Sequence, residues 1–518
     1  MDSPSTASEA TDWSPGVTTA LATLGTIGMV LVALGGVIAG PIGPTGSEVE
    51  HIVRDLIPRG TTGTVLASTS SALGLVLVLG AWVVLGLLLR VGAPLRPLVR
   101  ISVLWSLPLV LGPPLYSRDA YSYAALGQMV TQHLDPYRFG PALLGSSPFV
   151  TPVGSVWRYT ATPYGPLFLK LSAAAVTASG ENVVRTILAM RLLEVVGVVL
   201  IGLSLPKLAQ VAGKDPARAL WLGVCNPLVL IHFIGGAHND ALMIGLMLCG
   251  LAVAATGRPA WGIVLCMLGG AIKFPAAIGA AFIVLEVVRR LPAGKRLAEF
   301  VRLSAVGLGS FVAVTLVTGL GFGWIKALTV PGTNHLLLTP STFVAHWIST
   351  VVGHDDAVLS ACRAFGTVAT VAGVLYFLWR APRFGTVRAC GLALAVVVVC
   401  GPVVLPWYAL WPVIVLAPAG KRIERGFAIF ASVVLTIVVQ PSGSAQPDWL
   451  LMSAVVLLTA VFIALAWRPF RGWVRNDLAP AIDEYRVDGR VARFVEIARR
   501  ARPNALAKRS AVVDSRAA

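Results

Sequence analysis

The run WGIVLCMLGGAIKFPAAIGAAFIVLEVVRR, residues 261–290, decides how this chain is threaded. It is apolar enough to cross a membrane, yet Arg258 precedes it and Arg289 and Arg290 close it. Basic connectors collect on the cytoplasmic side of membrane proteins, so a single crossing would leave one of these groups on the wrong side. Two short crossings with a vertex at Ile272-Lys273-Phe274-Pro275 satisfy the rule, because proline disfavours helix at the residue before it. The vertex is then expected on the outer face, with the Lys273 ammonium snorkelling to the surface or serving a site there.

The rest of the chain reads the same way. Of its 518 residues 56% are hydrophobic and 13% charged, against about 25% charged in a soluble domain, which excludes the soluble globular class. Apolar runs near 17–40, 64–89, 100–115, 184–206, 219–236, 239–256, 301–322, 358–379, 389–405, 407–418, 426–440 and 449–467 are expected spans. The first is longer than a signal-peptide core and has no Lys or Arg before it, so it reads as a retained span. Arg90, Arg96 and Arg100, then Lys207, Lys214 and Arg218, then Arg289 to Arg302, then Arg380, Arg383 and Arg388, then Lys421, Arg422 and Arg425 mark the cytoplasmic connectors. With Lys207 inside, the stretch Tyr164 to Ala178 cannot be a full span and is expected to be a re-entrant or interfacial helix.

These constraints predict an all-α, polytopic transmembrane bundle of about fourteen crossings over residues 1–467, with both termini cytoplasmic and outer loops at 116–163 and 323–357. Residues 468–518 form a basic cytoplasmic tail, with 12 basic and 6 acidic residues, suited to lying on anionic lipid. The net charge of +17 is accounted for by these connectors and the tail, and no nucleic-acid motif accompanies it. All six cysteines fall in apolar runs without a metal-binding spacing and read as small buried residues.

Three polar constellations fall on the outer face in this threading. The first is Ser117-Arg118-Asp119-Ala120-Tyr121-Ser122-Tyr123, followed by Asp135-Pro136-Tyr137 and by Trp157-Arg158 and Tyr164. A carboxylate beside an apolar wall suits a general base, and an arginine nearby suits a phosphate. An Arg–Asp pair with a helix N-cap would explain the same residues. The second is Gly235-Gly236-Ala237-His238-Asn239-Asp240, whose mixed donors and acceptors suit sugar hydroxyls, although a turn and N-cap have the same composition. The third is Lys273. Trp407 and Tyr408, with Trp411 one turn on, suit stacking on a sugar or lipid, or plain headgroup anchoring. Arg191 and Glu194, spaced i to i+3 in an apolar run, are expected to neutralise each other.

The blocks SRDAYSYAALGQ, LDPYRFGP, TPYGPLFL, NPLVLIHFIGGAHNDALM, IKFP and LPWYALWP, in order over residues 116–412, resemble the actinobacterial polyprenol-phosphate-mannose-dependent α-(1→6)-mannopyranosyltransferases of the GT-C class. The resemblance implies inverting transfer on the extracytoplasmic side of the plasma membrane. It implies a polyprenyl-phosphate β-mannose donor and a lipid-linked mannoside acceptor such as a phosphatidylinositol mannoside or lipomannan. It implies Asp119 as the catalytic carboxylate, with two spans before its loop where many GT-C enzymes have one. No nucleotide sugar or cofactor is implied, and no P-loop or Rossmann fingerprint is present. Asp119, Asp135 and Asp240 leave a divalent metal open.

In this reading Lys273 and Arg118 hold the donor phosphate. Tyr121, Tyr123, Asp135, Tyr137, Trp157, Arg158, Tyr164, His238, Asn239, Asp240, Trp407 and Tyr408 meet the sugars. A transporter or lipid flippase would instead show pseudo-repeats and a midplane site, and a GT-C enzyme for arabinose or glucose would share these motifs.

Overall fold

The computed structural model describes residues 15–39, 60–89, 93–328, 330, 339–353, 355–438 and 457. These carry nineteen α-helices with short 3-10 and π turns, and no strand among the described residues. The expected crossing at 449–467 (apart from Leu457), the tail at 468–518, both chain ends, Arg90 and residues 329, 331–338 and 354 of the second outer loop lie outside them. Contacts divide the chain into Met1–Thr459 and Ala460–Ala518, and all that follows concerns the first unit.

The longer helices are α1 (Pro15–Ala39), α2 (Gly60–Leu88), α3 (Leu95–Leu111), α4 (Asp119–Thr131), α5 (Pro166–Ala178), α6 (Val183–Val211), α7 (Pro216–Gly223), α8 (Asp240–Ala255), α9 (Pro259–Gly270), α10 (Ala277–Arg290), α11 (Ala293–Thr318), α12 (Pro340–Val352), α13 (Asp355–Phe384), α14 (Thr386–Cys400), α15 (Leu410–Leu416) and α16 (Arg422–Val438). Five of them, α1, α2, α6, α11 and α13, are long and apolar enough to cross a membrane. A sixth crossing arises if α7 and Pro227–Gly235, bent by 43°, count as one broken span. The remaining apolar helices fall short: at 1.5 Å per residue the 16 residues of α8 reach about 24 Å, against a hydrocarbon core of about 30 Å. The described residues thus hold five or six helices long and apolar enough to cross a membrane, and the expected fourteen crossings are not shown.

The break inside residues 261–290 is present. α9 stops at Gly270 and α10 starts at Ala277, with a 3-10 turn at Phe274–Ala276 carrying Pro275. α5 is 13 residues long, about 20 Å, which suits the non-spanning role expected of it. Its first turn meets the end of α9 end-on. Gly165 N–H donates to Ile272 O at 2.9 Å and Leu167 N–H to Ala271 O at 3.0 Å, so orphan amides of one helix start satisfy orphan carbonyls of one helix end. Gly165 is required there because a Cβ would run into the Ala271 backbone.

Packing follows the membrane pattern of small residues at helix crossings. α8 is clasped by α6 and α9: Gly197 lies against the Ala241–Leu242 backbone, and a Cβ on Gly250 would come 2.5 Å from Gly262 O. Gly127 seats α4 on Ser172 of α5 in the same way.

Arg191 and Glu194 do not pair as expected. Arg191, fully buried on α6, donates to Val110 O at 2.9 Å, Gly112 O, Ile234 O at 3.0 Å and Gly235 O at 3.2 Å. Glu194 Oε2 instead accepts the Leu242 N–H at 3.1 Å in the first turn of α8. Both groups are spent on helix ends, where unsatisfied backbone offers more than a neighbouring side chain whose own hydrogen-bond needs would go unmet. They pin the end of α3, the π turn Leu230–Gly235 and the start of α8 to one another, and so hold the hairpin at 235–240 in place.

Candidate active site

Three chain segments converge through this pinning. Asp119 opens α4 and is 6% exposed; its own N–H donates to Ser117 Oγ at 3.1 Å, while among the described residues no backbone amide of α4 donates to its carboxylate, so that carboxylate is not a helix cap. Its Oδ2 lies 3.5 Å from His238 Nδ1. His238 is fully buried and stacks on the Trp407 ring, centroids 3.8 Å apart and planes 19° from parallel. Its neighbour Asn239 also fails to cap its helix, and neither polar atom of its fully buried amide has a partner. A buried amide without partners is costly in a resting fold and suits a ligand that supplies them.

Asp240 is the hub of the second group. Its Oδ1 accepts from Lys273 Nζ at 2.8 Å and from Trp411 Nε1 at 2.7 Å, while Oδ2 has no hydrogen-bond partner. Lys273 Nζ sits over the rings of Tyr408 at 4.2 Å, Trp411 at 5.3 Å and Tyr164 at 5.8 Å. The lysine therefore does not snorkel to the surface: its side chain is 11% exposed and turned into the molecule. An ammonium leaving water is better compensated by a carboxylate and three aromatic faces than by the apolar wall alone. Burial opposes its charge, but Asp240 and then Tyr408 and Asp119 outweigh this and hold its pKa above that of an ordinary lysine.

Tyr164, just before the α5–α9 junction, meets Tyr123 edge-on at 5.1 Å, and both pack on Phe168. Burial first, and then the Asp119 charge, keep the Tyr164 phenol well above its usual range, so it acts as a neutral hydrogen-bonding group. Asp119, His238, Trp407, Asp240, Lys273, Tyr164, Tyr408 and Trp411 thus form one buried polar and aromatic wall.

Other expected residues are placed differently. Arg118 is exposed beside Asp119 at the start of α4. Tyr121 is buried in an apolar cluster with Ala120, Phe149 and Val153, and Trp157 packs against it. Asp135 is exposed and its Oδ1 accepts the Tyr137 N–H at 2.9 Å, closing a local turn. Tyr137 is buried against Gly323, in the segment that follows α11, and Arg158 braces its own loop through Thr151 O and Val153 O, each at 3.1 Å. Among the described residues, no three His, Cys, Asp or Glu side chains are grouped to hold a metal.

From sequence Trp411 had only a stacking or anchoring role, and His232 was not singled out. Trp411, one turn beyond Trp407, in fact donates to Asp240. His232 lies 5.5 Å from Trp407 and 5.9 Å from His238 and is buried with neither ring nitrogen partnered. Only the π turn brings it there, and a sequence pattern does not reveal such a turn.

Known proteins place this arrangement in context. Residues 22–289 match the family model described as alpha-(1->6)-mannopyranosyltransferase, N-terminal domain, and residues 338–468 match the MptB C-terminal domain. The chain is 33% identical to a probable alpha-(1->6)-mannopyranosyltransferase of Mycolicibacterium smegmatis, covering 86% of this chain and 89% of that protein. It is 34% identical to alpha-(1->6)-mannopyranosyltransferase A of Mycobacterium tuberculosis, covering 83% and 86%. It is 30% identical to alpha-(1->6)-mannopyranosyltransferase B of Corynebacterium glutamicum, covering 82% and 77%. No solved structure matches the chain.

Proposed function

The chain belongs to the actinobacterial α-(1→6)-mannopyranosyltransferase family and is a mannosyltransferase, and from that premise we propose that it uses a polyprenyl-phosphate β-mannose to extend a lipid-linked mannoside outside the plasma membrane. The observation that carries this is the buried Asp119 carboxylate, which caps no helix and lies on the same wall as the aromatic-caged Lys273.

Asp119 takes the proton from the acceptor's 6-hydroxyl as that oxygen attacks C1 of the donor mannose. The new C1–O bond forms opposite the phosphate, the old C1–O bond breaks, and its electron pair leaves with the polyprenyl phosphate. A β donor thereby yields an α product. Lys273 has three N–H donors, of which one is committed to Asp240 and another engages Tyr408, so one remains for the departing phosphate. Arg118, exposed at the start of α4, supplies a second cation from the solvent side. His238, its ring plane fixed on Trp407, faces the Asp119 carboxylate at 3.5 Å, and Asn239, with Asp240 Oδ2, offers the unpartnered polar atoms that sugar hydroxyls require.

Membranes bearing this protein, given radiolabelled polyprenyl-phosphate-mannose and an α-mannoside acceptor, are expected to transfer label. Transfer from the corresponding arabinose or glucose donor, with none from mannose, would move the reading to another sugar. No transfer from any of the three would remove the assigned donor class.

A further inference from the structure

A basic cavity lies remote from this wall. Gly213, Lys214, Asp215, Arg218, Ala417, Gly420 and Arg425 enclose about 270 Å³ where the end of α6, the start of α7, the end of α15 and the start of α16 meet. α6 links the two regions. Arg191 near its beginning holds the catalytic hairpin, and Val211 ends it twenty residues later. At 1.5 Å per residue that is roughly 30 Å, the thickness of the hydrocarbon core.

The charges in this cavity are not balanced. Asp215 is the one carboxylate against three cations. One of its oxygens caps α7 through the Ala217 N–H at 3.1 Å, and the other lies 3.7 Å from Arg218. Arg425 is partly buried and within electrostatic reach of Arg218 and Arg422, so burial and then two further arginines disfavour its charge, and among the described residues no carboxylate pairs with it. Cations held together at a helix-bundle rim, at the depth of the lipid headgroups, fit the phosphate of an anionic headgroup.

We propose that this cavity binds the phosphate of an anionic phospholipid in the leaflet opposite the mannosyl-transfer site. The ligand is a phosphodiester at the end of two acyl chains, not a sugar donor. The site is formed by the α6–α7 and α15–α16 connectors with Arg218 of α7 and Arg425 of α16, none of which the transfer chemistry uses.

The test uses the full chain purified in a neutral detergent and titrated with dihexanoyl phosphatidylglycerol, dihexanoyl phosphatidylcholine or inorganic phosphate, with thermal unfolding as the readout. Phosphatidylglycerol is expected to raise the unfolding temperature saturably. Arg218→Gln and the milder Lys214→Gln, whose parent side chain is exposed, are each expected to weaken the half-saturation point by about tenfold or more. Arg258→Gln, a charge removed from an exposed site outside the cavity, should leave it unchanged. Equal weakening in Arg258→Gln would reduce the effect to bulk charge and overturn the site. Equal stabilisation by phosphatidylcholine or by inorganic phosphate alone, or no stabilisation by any of the three, would overturn it too. Because the readout is binding, it stands or falls separately from mannosyl transfer.

Discussion

At the residue scale the carboxylate at the head of α4 and the caged lysine carry different kinds of energy. Asp119→Asn keeps size and removes the proton acceptor, so turnover should drop by roughly a hundredfold or more while expression holds. Near-normal transfer by a well-folded Asp119→Asn protein would end its assignment as base. Losing a charge-assisted bond to phosphate costs about 1.5–3 kcal/mol, so Lys273→Ala should weaken donor use by roughly ten- to a hundredfold, with Lys273→Arg recovering only part of it. An unchanged donor KM and kcat in Lys273→Ala would leave the lysine as a packing element of its aromatic cage.

The pair with Asp240 also predicts a pH effect whose sign is fixed. The carboxylate is what raises the Lys273 pKa against burial, so the wild-type lysine stays charged through the neutral range and the donor KM should be flat from about pH 6 to about pH 9. In Asp240→Asn burial is left with less opposition, the pKa falls, and the KM should climb as pH rises. A flat profile in both proteins would show that the ammonium charge is not what the donor uses. The two carboxylates and the lysine were legible in sequence because they are polar residues in apolar surroundings. Their pairing was not, since Asp240 and Lys273 are 33 residues apart and no periodicity links them.

At the element scale the proline-marked break between α9 and α10 was legible, and the reason the break matters was not. The two carbonyls it frees, Ala271 O and Ile272 O, are taken by the amides opening α5, which sets Tyr164 and Lys273 on either side of one junction. Gly165→Ala should push this junction apart, at about 1–3 kcal/mol for overpacking against backbone. The expected result is a lowered unfolding temperature together with a raised donor KM, because the cage around Lys273 loosens. A Gly165→Ala protein with wild-type stability and KM would show that the junction does not position the cage. The Arg191 and Glu194 roles were hidden for a related reason: the acceptor and donor they meet are backbone groups at helix ends, which residue types do not announce.

At the scale of the whole molecule the assignment of two faces and the count of crossings rest on different assumptions. Charge in the connectors depends only on which side each loop lies, whereas a crossing count assumes that each apolar run is a straight span, and proline and glycine break several of these runs into helices of 10–17 residues. The face assignment is open to direct measurement at Gly145, in the first outer loop, and at Pro292, in the connector between α10 and α11, since both positions are exposed. In a background with the six native cysteines replaced, a cysteine at position 145 should react with a membrane-impermeant thiol reagent added to intact cells. One at position 292 should react only after the membrane is opened. Cys225 and Cys390 are buried, and Cys225 contacts Ser102 Oγ at 2.9 Å, so the cysteine-free background must first be shown to keep wild-type transfer activity. The reverse labelling would place Asp119 and Lys273 on the cytoplasmic side. An extracytoplasmic lipid-phosphate sugar could not then reach them, and the basic cavity at the far end of α6 would open to the outer leaflet instead.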